Sequence, residues 1–246
     1  MKLNGLFTSD RHGNEFSAIE FESGYGQFPA GHYFGSKGYT YMIWMKRVNY
    51  ISFGGIIAFS KRNDRYDGIE MYLYSSTGRL QVSNWNGLSF FEFTTPSSLP
   101  IGSWVHLAVA SDSKIANVYI DSIYVGSLTG VPSTGEHIFN YLGWFEIEGQ
   151  KARAAFDEFK IFNRQLTPEE ISYEKELTKQ IVYQQPLFIP AASEEFTEGL
   201  VHYWPMAGST RDVINGMDMN IIKNGKLCED RFGNKESGKF RGYIYE

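Results

Sequence analysis

Glu146-Ile147-Glu148 carries two carboxylates at strand spacing, the minimum that acid and base hydrolysis of a glycosidic bond requires. The pair has no third carboxylate beside it, and it also reads as two solvent-facing acids near a strand end. Asn63-Asp64-Arg65-Tyr66-Asp67-Gly68 gathers an amide and two carboxylates in one loop, the kind of oxygen ligands that calcium takes. Asp64 and Asp67 are therefore candidate metal ligands, although the same residues also make an ordinary polar turn. Trp85, between Asn84 and Asn86 in a loop-like segment, is the best candidate for stacking on a sugar, with Tyr66 as its neighbour. In a chain with 19 Phe, 16 Tyr and 5 Trp, however, most aromatic rings must belong to the core. His106 lies in an apolar strand pattern and reads as a core or sheet-surface histidine rather than a base. Cys228 is the only cysteine and has no Cys or His at metal spacing, so it reads as a small apolar side chain. No Ser/His/Asp constellation and no glycine-rich phosphate loop stands out.

The elements that must position these residues are mostly strands. Tyr39–Met45 alternates, Gly55–Phe59 is a short apolar run, and Ile69–Tyr74 meets Leu80-Gln81-Val82 across Gly78 as a hairpin. Trp104–Ala110 leads into Ala116–Ile120, and a tight Asp121-Ser122 turn gives Ile123–Gly126. Such closely spaced strands predict an all-β chain, a sandwich of two antiparallel sheets packed face to face. One helix is expected after Phe156–Phe162. Thr167-Pro168-Glu169-Glu170 supplies an N-cap hydroxyl, a proline at the first helical position and a capping-box glutamate, and the helix should run to about Lys179. Pro186, Pro190 and Ala191–Glu195 read as a linker, after which Gly199–Met206 opens a new strand pattern.

One phrase occurs twice. Asn4-Gly5 followed by Asp10-Arg11-His12-Gly13-Asn14 returns as Asn224-Gly225 followed by Asp230-Arg231-Phe232-Gly233-Asn234. The separation is far beyond the roughly 20–50 residue periods of solenoids, so whole domains in tandem are implied. Asp10, Asn14, Asp230 and Asn234 themselves read as turn-formers rather than ligands.

Taken in order, these segments resemble the laminin G-like jelly rolls of the concanavalin A-like lectin/glucanase superfamily. Leu99–Val109 looks like that family's Trp-x-His strand, and Tyr119-Ile120-Asp121 like its hairpin, with Ser122 where glycine is usual. Phe156–Ile171 looks like the closing strand and terminal helix, and Gly199–Gly208 like the opening strand. The resemblance implies a concanavalin A-like jelly roll over residues 1–184 without its first strand, a linker at 185–198, and the opening of a next repeat at 199–246. Residues 199–223 would then dock beside Phe156–Phe162 in place of the absent strand, exchange between chains, or form a disordered half-repeat. It also implies calcium held by Asp157 at the start of the closing strand, with backbone carbonyls of the opening strand. The superfamily's glucanases carry a Glu-x-Asp-x-(x)-Glu strand, from which Glu146-Ile147-Glu148 departs.

Composition narrows the function further. A net charge of −5 and the lack of any Lys/Arg cluster argue against general affinity for nucleic acid. No apolar run approaches the roughly 18 residues of a membrane span, so insertion by these residues is not expected. The favoured expectation is a non-catalytic recognition or adhesion module of an extracellular protein, binding a glycan or an extracellular protein. The alternatives are a carbohydrate-active enzyme, or its ancillary domain, on the same scaffold, and a structural spacer.

Overall fold

A computed structural model describes residues 16–48, 54–62, 67–74, 77–130, 135–144, 151–177, 198–206, 210–222 and 225–229. In chain order the first strands are Phe16–Phe21 (β1), Tyr25–Phe28 (β2), Tyr39–Arg47 (β3), Gly54–Ser60 (β4), Gly68–Tyr74 (β5), Arg79–Trp85 (β6) and Phe90–Ser98 (β7). Trp104–Ser111 (β8), Ile115–Ile120 (β9), Ile123–Thr129 (β10), Phe139–Leu142 (β11) and Ala154–Phe162 (β12) follow. Helix Pro168–Leu177 (α1) precedes Leu200–Trp204 (β13), Asn220–Ile222 (β14) and Gly225–Glu229 (β15). The strands form two sheets. The eight-stranded sheet runs β10-β9-β8-β3-β12-β1-β15, with β13 also paired to β12, and the seven-stranded sheet runs β14-β2-β11-β4-β5-β6-β7.

Alternation explains the packing. Tyr41, Ile43 and Met45 of β3, Val105, Leu107 and Val109 of β8, and Ile69, Met71 and Leu73 of β5 all turn into one core. Each fully buried side chain of this size contributes about 1.5–3 kcal/mol. At one end the core is aromatic. Trp204 stacks on Phe159 at 5.3 Å and meets Phe28 at 4.6 Å, and Phe28 stacks on Phe59 at 5.3 Å.

The residues after α1 enter both sheets. β13 pairs with β12, Trp204 facing Phe159 and His202 facing Ile161. β14 pairs with β2 in the other sheet, and β15 lies antiparallel to β1. Trp204 Nε1 donates to the Met217 carbonyl at 3.0 Å, which ties the two limbs of this segment together.

Helix α1 starts as its sequence dictates. The Glu170 amide donates to Thr167 Oγ1 at 3.3 Å, and the Thr167 amide donates to Glu170 Oε2 at 2.8 Å. Arg164 adds two donors to the same carboxylate, at 2.9 and 2.7 Å. The helix covers part of the outer face of the eight-stranded sheet, where Leu166 and Ile171 pack with Met42, Ala108, Ala110, Tyr119 and Phe162.

The β9–β10 turn is strained. Asp121 and Ser122 have φ of 52° and 69°, left-handed values that cost an L-residue about 1–2 kcal/mol each. Asp121 repays part of this by accepting from the His106 amide at 2.9 Å. Ser122 makes no such bond, and glycine suits this position of a type I′ turn. Ser122→Gly is therefore expected to raise stability by about 0.5–1 kcal/mol after its added unfolded-state entropy. An unchanged or lower denaturation midpoint would refute that account.

Candidate functional site

At one end of the sandwich the β6–β7 hairpin presents an aromatic pair. Trp85 is the last residue of β6, opposite Gly68 on one side and Phe90 on the other. The Trp85 and Phe90 rings lie 4.9 Å apart at 49°. Asn86 builds the turn between them, its Oδ1 accepting from the Leu88 and Ser89 amides at 3.0 and 2.7 Å. Leu88, at the tip, is 92% exposed.

Phe90 also lines an open groove of about 550 Å³ between the edges of the two sheets. Phe91 and Glu92 of β7 form one wall; Lys114, Ile115 and the Ser127–Thr129 end of β10 form the other. Local chemistry places each side. Asp112 Oδ1 accepts from the Lys114 and Ile115 amides at 2.8 Å each, fixing the turn that carries Lys114 to the rim. Those same amides hold the Asp112 carboxyl below its ordinary pKa. Asn84 Nδ2 donates across to the Thr129 carbonyl at 3.0 Å, joining the two walls beneath the groove. β10 and β7 approach closely where Gly126 meets Phe93, since a Cβ at Gly126 would stand 2.2 Å from that ring. The size is ordinary for a small-ligand site, and the lining mixes rings, a carboxylate, an ammonium and hydroxyls.

A transverse row links the groove to the far side of the seven-stranded sheet. Tyr141, Ala58, Glu70, Ser83 and Glu92 follow one another across β11, β4, β5, β6 and β7. Ser83 Oγ donates to Glu70 Oε2 at 3.1 Å, and Gln81 Nε2 donates to Glu92. At the far end Tyr25, Tyr141 and Trp144 cluster, with Trp144 4.5 Å from Tyr25 and 4.6 Å from Tyr141. Lys151 Nζ sits 5.6 Å from the Tyr25 ring centre.

The remaining sequence candidates are scattered. Asp157 is 3% exposed and lies opposite Trp44 in the eight-stranded sheet. Asp67 begins at the other sheet and is held by Lys61 Nζ at 3.1 and 3.0 Å to its two oxygens. Asp64, Tyr66, Glu146, Glu148, Asp10, Asn14, Asp230 and Asn234 lie outside the described residues, as does the Cys228 side chain. Among the described residues no three His, Cys, Asp or Glu side chains gather to hold a metal ion. His106 is 2% exposed and packs 5.1 Å from the Trp44 ring. Phe90, Glu92 and Lys114 were not singled out from sequence. Phe90 and Glu92 lie on β7 and Lys114 in the turn before β9, and only the alternation of Phe91, Phe93 and Thr95 inward could have announced the β7 wall.

Comparison with known proteins agrees with this architecture. No curated protein sequence matches the chain. Domain 4 of AbnA, a GH43 extracellular arabinanase from Geobacillus stearothermophilus, solved in complex with arabinotriose, superposes with a TM-score of 0.56. It is 20% identical, over 69% of this chain and 81% of that one. A native heptameric SAP-like pentraxin from Limulus polyphemus gives 0.51 at 16% identity, over 67% of this chain and 82% of that one. The CBM40 of the Ruminococcus gnavus IT-sialidase, bound to α2,3-sialyllactose, gives 0.50 at 12% identity, over 65% of this chain and 97% of that one. At such identities the likeness is one of fold. The sequence model of the laminin G-like group, described as the concanavalin A-like lectin/glucanases superfamily, matches residues 21–172. Well over half of the chain is thus matched, and the protein belongs to the concanavalin A-like lectin/glucanases superfamily.

Proposed function

We propose that this protein is a glycan-binding module of an extracellular protein, and that the groove beside Trp85 and Phe90 is its binding site. The observation that carries the reading is exposed Phe90, packed against half-buried Trp85 and opening into a groove with polar walls. A sugar ring offers an apolar C–H face to an aromatic ring and hydroxyls to its surroundings. Phe90 and Trp85 supply the first surface. Glu92 can accept from hydroxyls, Lys114 can donate to them, and Ser127 and Thr129 can do both. Neighbours of the same fold, bound to arabinotriose and to sialyllactose, support the choice of ligand class. Glycoside hydrolysis uses two carboxyl groups, and among the described residues Glu92 is the only acidic one lining the groove, which favours binding over catalysis.

The test is titration of the full chain with immobilised and soluble oligosaccharides. Phe90→Ala and Trp85→Ala are expected to weaken binding by about tenfold or more, with little change in melting temperature for Phe90, which is 38% exposed. Binding that survives both changes would sink this site, and turnover of the bound glycan would overturn the non-catalytic reading.

A further inference from the structure

We propose that strand β10 is a pairing edge, and that its partner is β10 of a second copy of this chain. Unpaired strand edges invite pairing, and proteins guard them with charge, proline, short length or cover. Four of the five sheet edges among the described residues are guarded or covered, β13 where the Val213 amide donates to its Tyr203 carbonyl at 3.0 Å. β7 contains Glu92 and Pro96, β15 contains Lys226 and Glu229, and β14 is three residues long. β10 is seven residues long, Ile123 to Thr129, with no charge and no proline. It also leaves Ile123 68% and Tyr124 55% exposed.

The geometry fits a copy of itself. Against β9 the register shifts between Tyr124 and Gly126. Val125 and Leu128 pack toward the core, whereas Tyr124 meets the outer-face Tyr119 at 5.9 Å and Ser127 lies opposite Asn117. A two-fold axis between Val125 and Gly126 sets Ile123 against Leu128 on the core side. It sets Tyr124 against Ser127 on the outer side. Every facing pair then shares a face, as antiparallel pairing demands, and the two irregular positions meet each other.

Charge favours the same alignment. Asp121 precedes β10, and Lys114 precedes Ile115, which pairs with Thr129 at the far end. Antiparallel pairing brings the Asp121 end of one copy beside the Lys114 end of the other, twice across the axis. Between these ends the strand is uncharged, so the net charge of the chain opposes the approach little.

Sedimentation equilibrium of the full chain, up to about 100 µM, tests this pairing. A dimer is expected, together with concentration-dependent slowing of amide exchange in β10 and none in β14. Ile123→Lys and Tyr124→Lys, both at exposed positions outside the groove lining, should each weaken the dimer by about tenfold or more without shifting the melting temperature. A chain that stays monomeric over this range, or a dimer that withstands both lysines, overturns the proposal. Because Ser127–Thr129 of β10 also wall the groove, glycan binding is read at concentrations where the chain is monomeric.

Discussion

Replacing Asp212 by alanine is expected to cost about 3–5 kcal/mol and to release the segment after α1 from both sheets. The Asp212 side chain is wholly buried, and four donors converge on it. His202 Nδ1 lies at 2.7 Å, the Tyr203 and Ile214 amides at 3.1 Å, and the Met217 amide at 3.3 Å. These bonds lock β13 to the turn that leads to Met217, whose carbonyl in turn receives Trp204 Nε1. Alanine would leave the amides and the imidazole buried without an acceptor, the costly half of a broken hydrogen bond. Asparagine keeps one acceptor and should lose roughly half as much. Urea melts give the size of the loss, and amide exchange across Leu200–Trp204 shows whether this segment opens first. A loss below about 1 kcal/mol for alanine would mean that the apolar contacts of Trp204 and Met206 hold the segment without the polar knot.

Acid should reproduce the effect. Burial alone would raise the Asp212 pKa, but the bonds from His202, Tyr203 and Ile214 and the charge of His202 outweigh it and hold the carboxyl below its ordinary value. A carboxyl with a depressed folded pKa stabilises the fold fully above its unfolded value of about 3.9. That contribution drains away as pH falls through the lower, folded value. The gap between wild type and Asp212→Asn should therefore be full at neutral pH and narrow in acid below the unfolded value. A gap constant over this range would contradict the linkage.

How far the sequence foretold this molecule depends on how local each interaction is. The start of α1 was legible because its capping box is closed by residues three apart, Thr167 and Glu170. Strands β3, β8 and β12 were legible because one face of each meets the core and their side chains alternate or run apolar. β7 was not seen, since Pro96 interrupts its pattern, and proline is tolerated there because the strand is an edge. Trp85 was assigned to a loop from its flanking asparagines, yet it ends a strand. Asn86 is polar because it builds the turn, and Asn84 because it reaches across to Thr129. The groove itself had no motif to read. Its walls come from β7, β9 and β10, and what joins them is the meeting of two sheet edges rather than any spacing along the chain.

The second large effect expected is at a buried ion pair beneath the helix. Lys160 Nζ and Glu174 Oε2 stand 2.8 Å apart, with side chains 8% and 6% exposed, and the same ammonium sits 5.1 Å from the centre of the Tyr203 ring. The pair thus joins α1, β12 and β13 at one point. Glu174→Ala should cost about 3–5 kcal/mol, because it strands a charge that burial has cut off from water. The double change Lys160→Met with Glu174→Leu removes both charges and keeps the volume, so it should recover most of that loss. A double-mutant cycle read by chemical denaturation separates the cases. If the single alanine costs little and the double gains nothing, α1 is held by Leu166 and Ile171 alone. If the double recovers the loss, the pair's worth is mainly orientation, since the apolar substitutes would hold the helix as firmly without fixing where along β12 and β13 it sits.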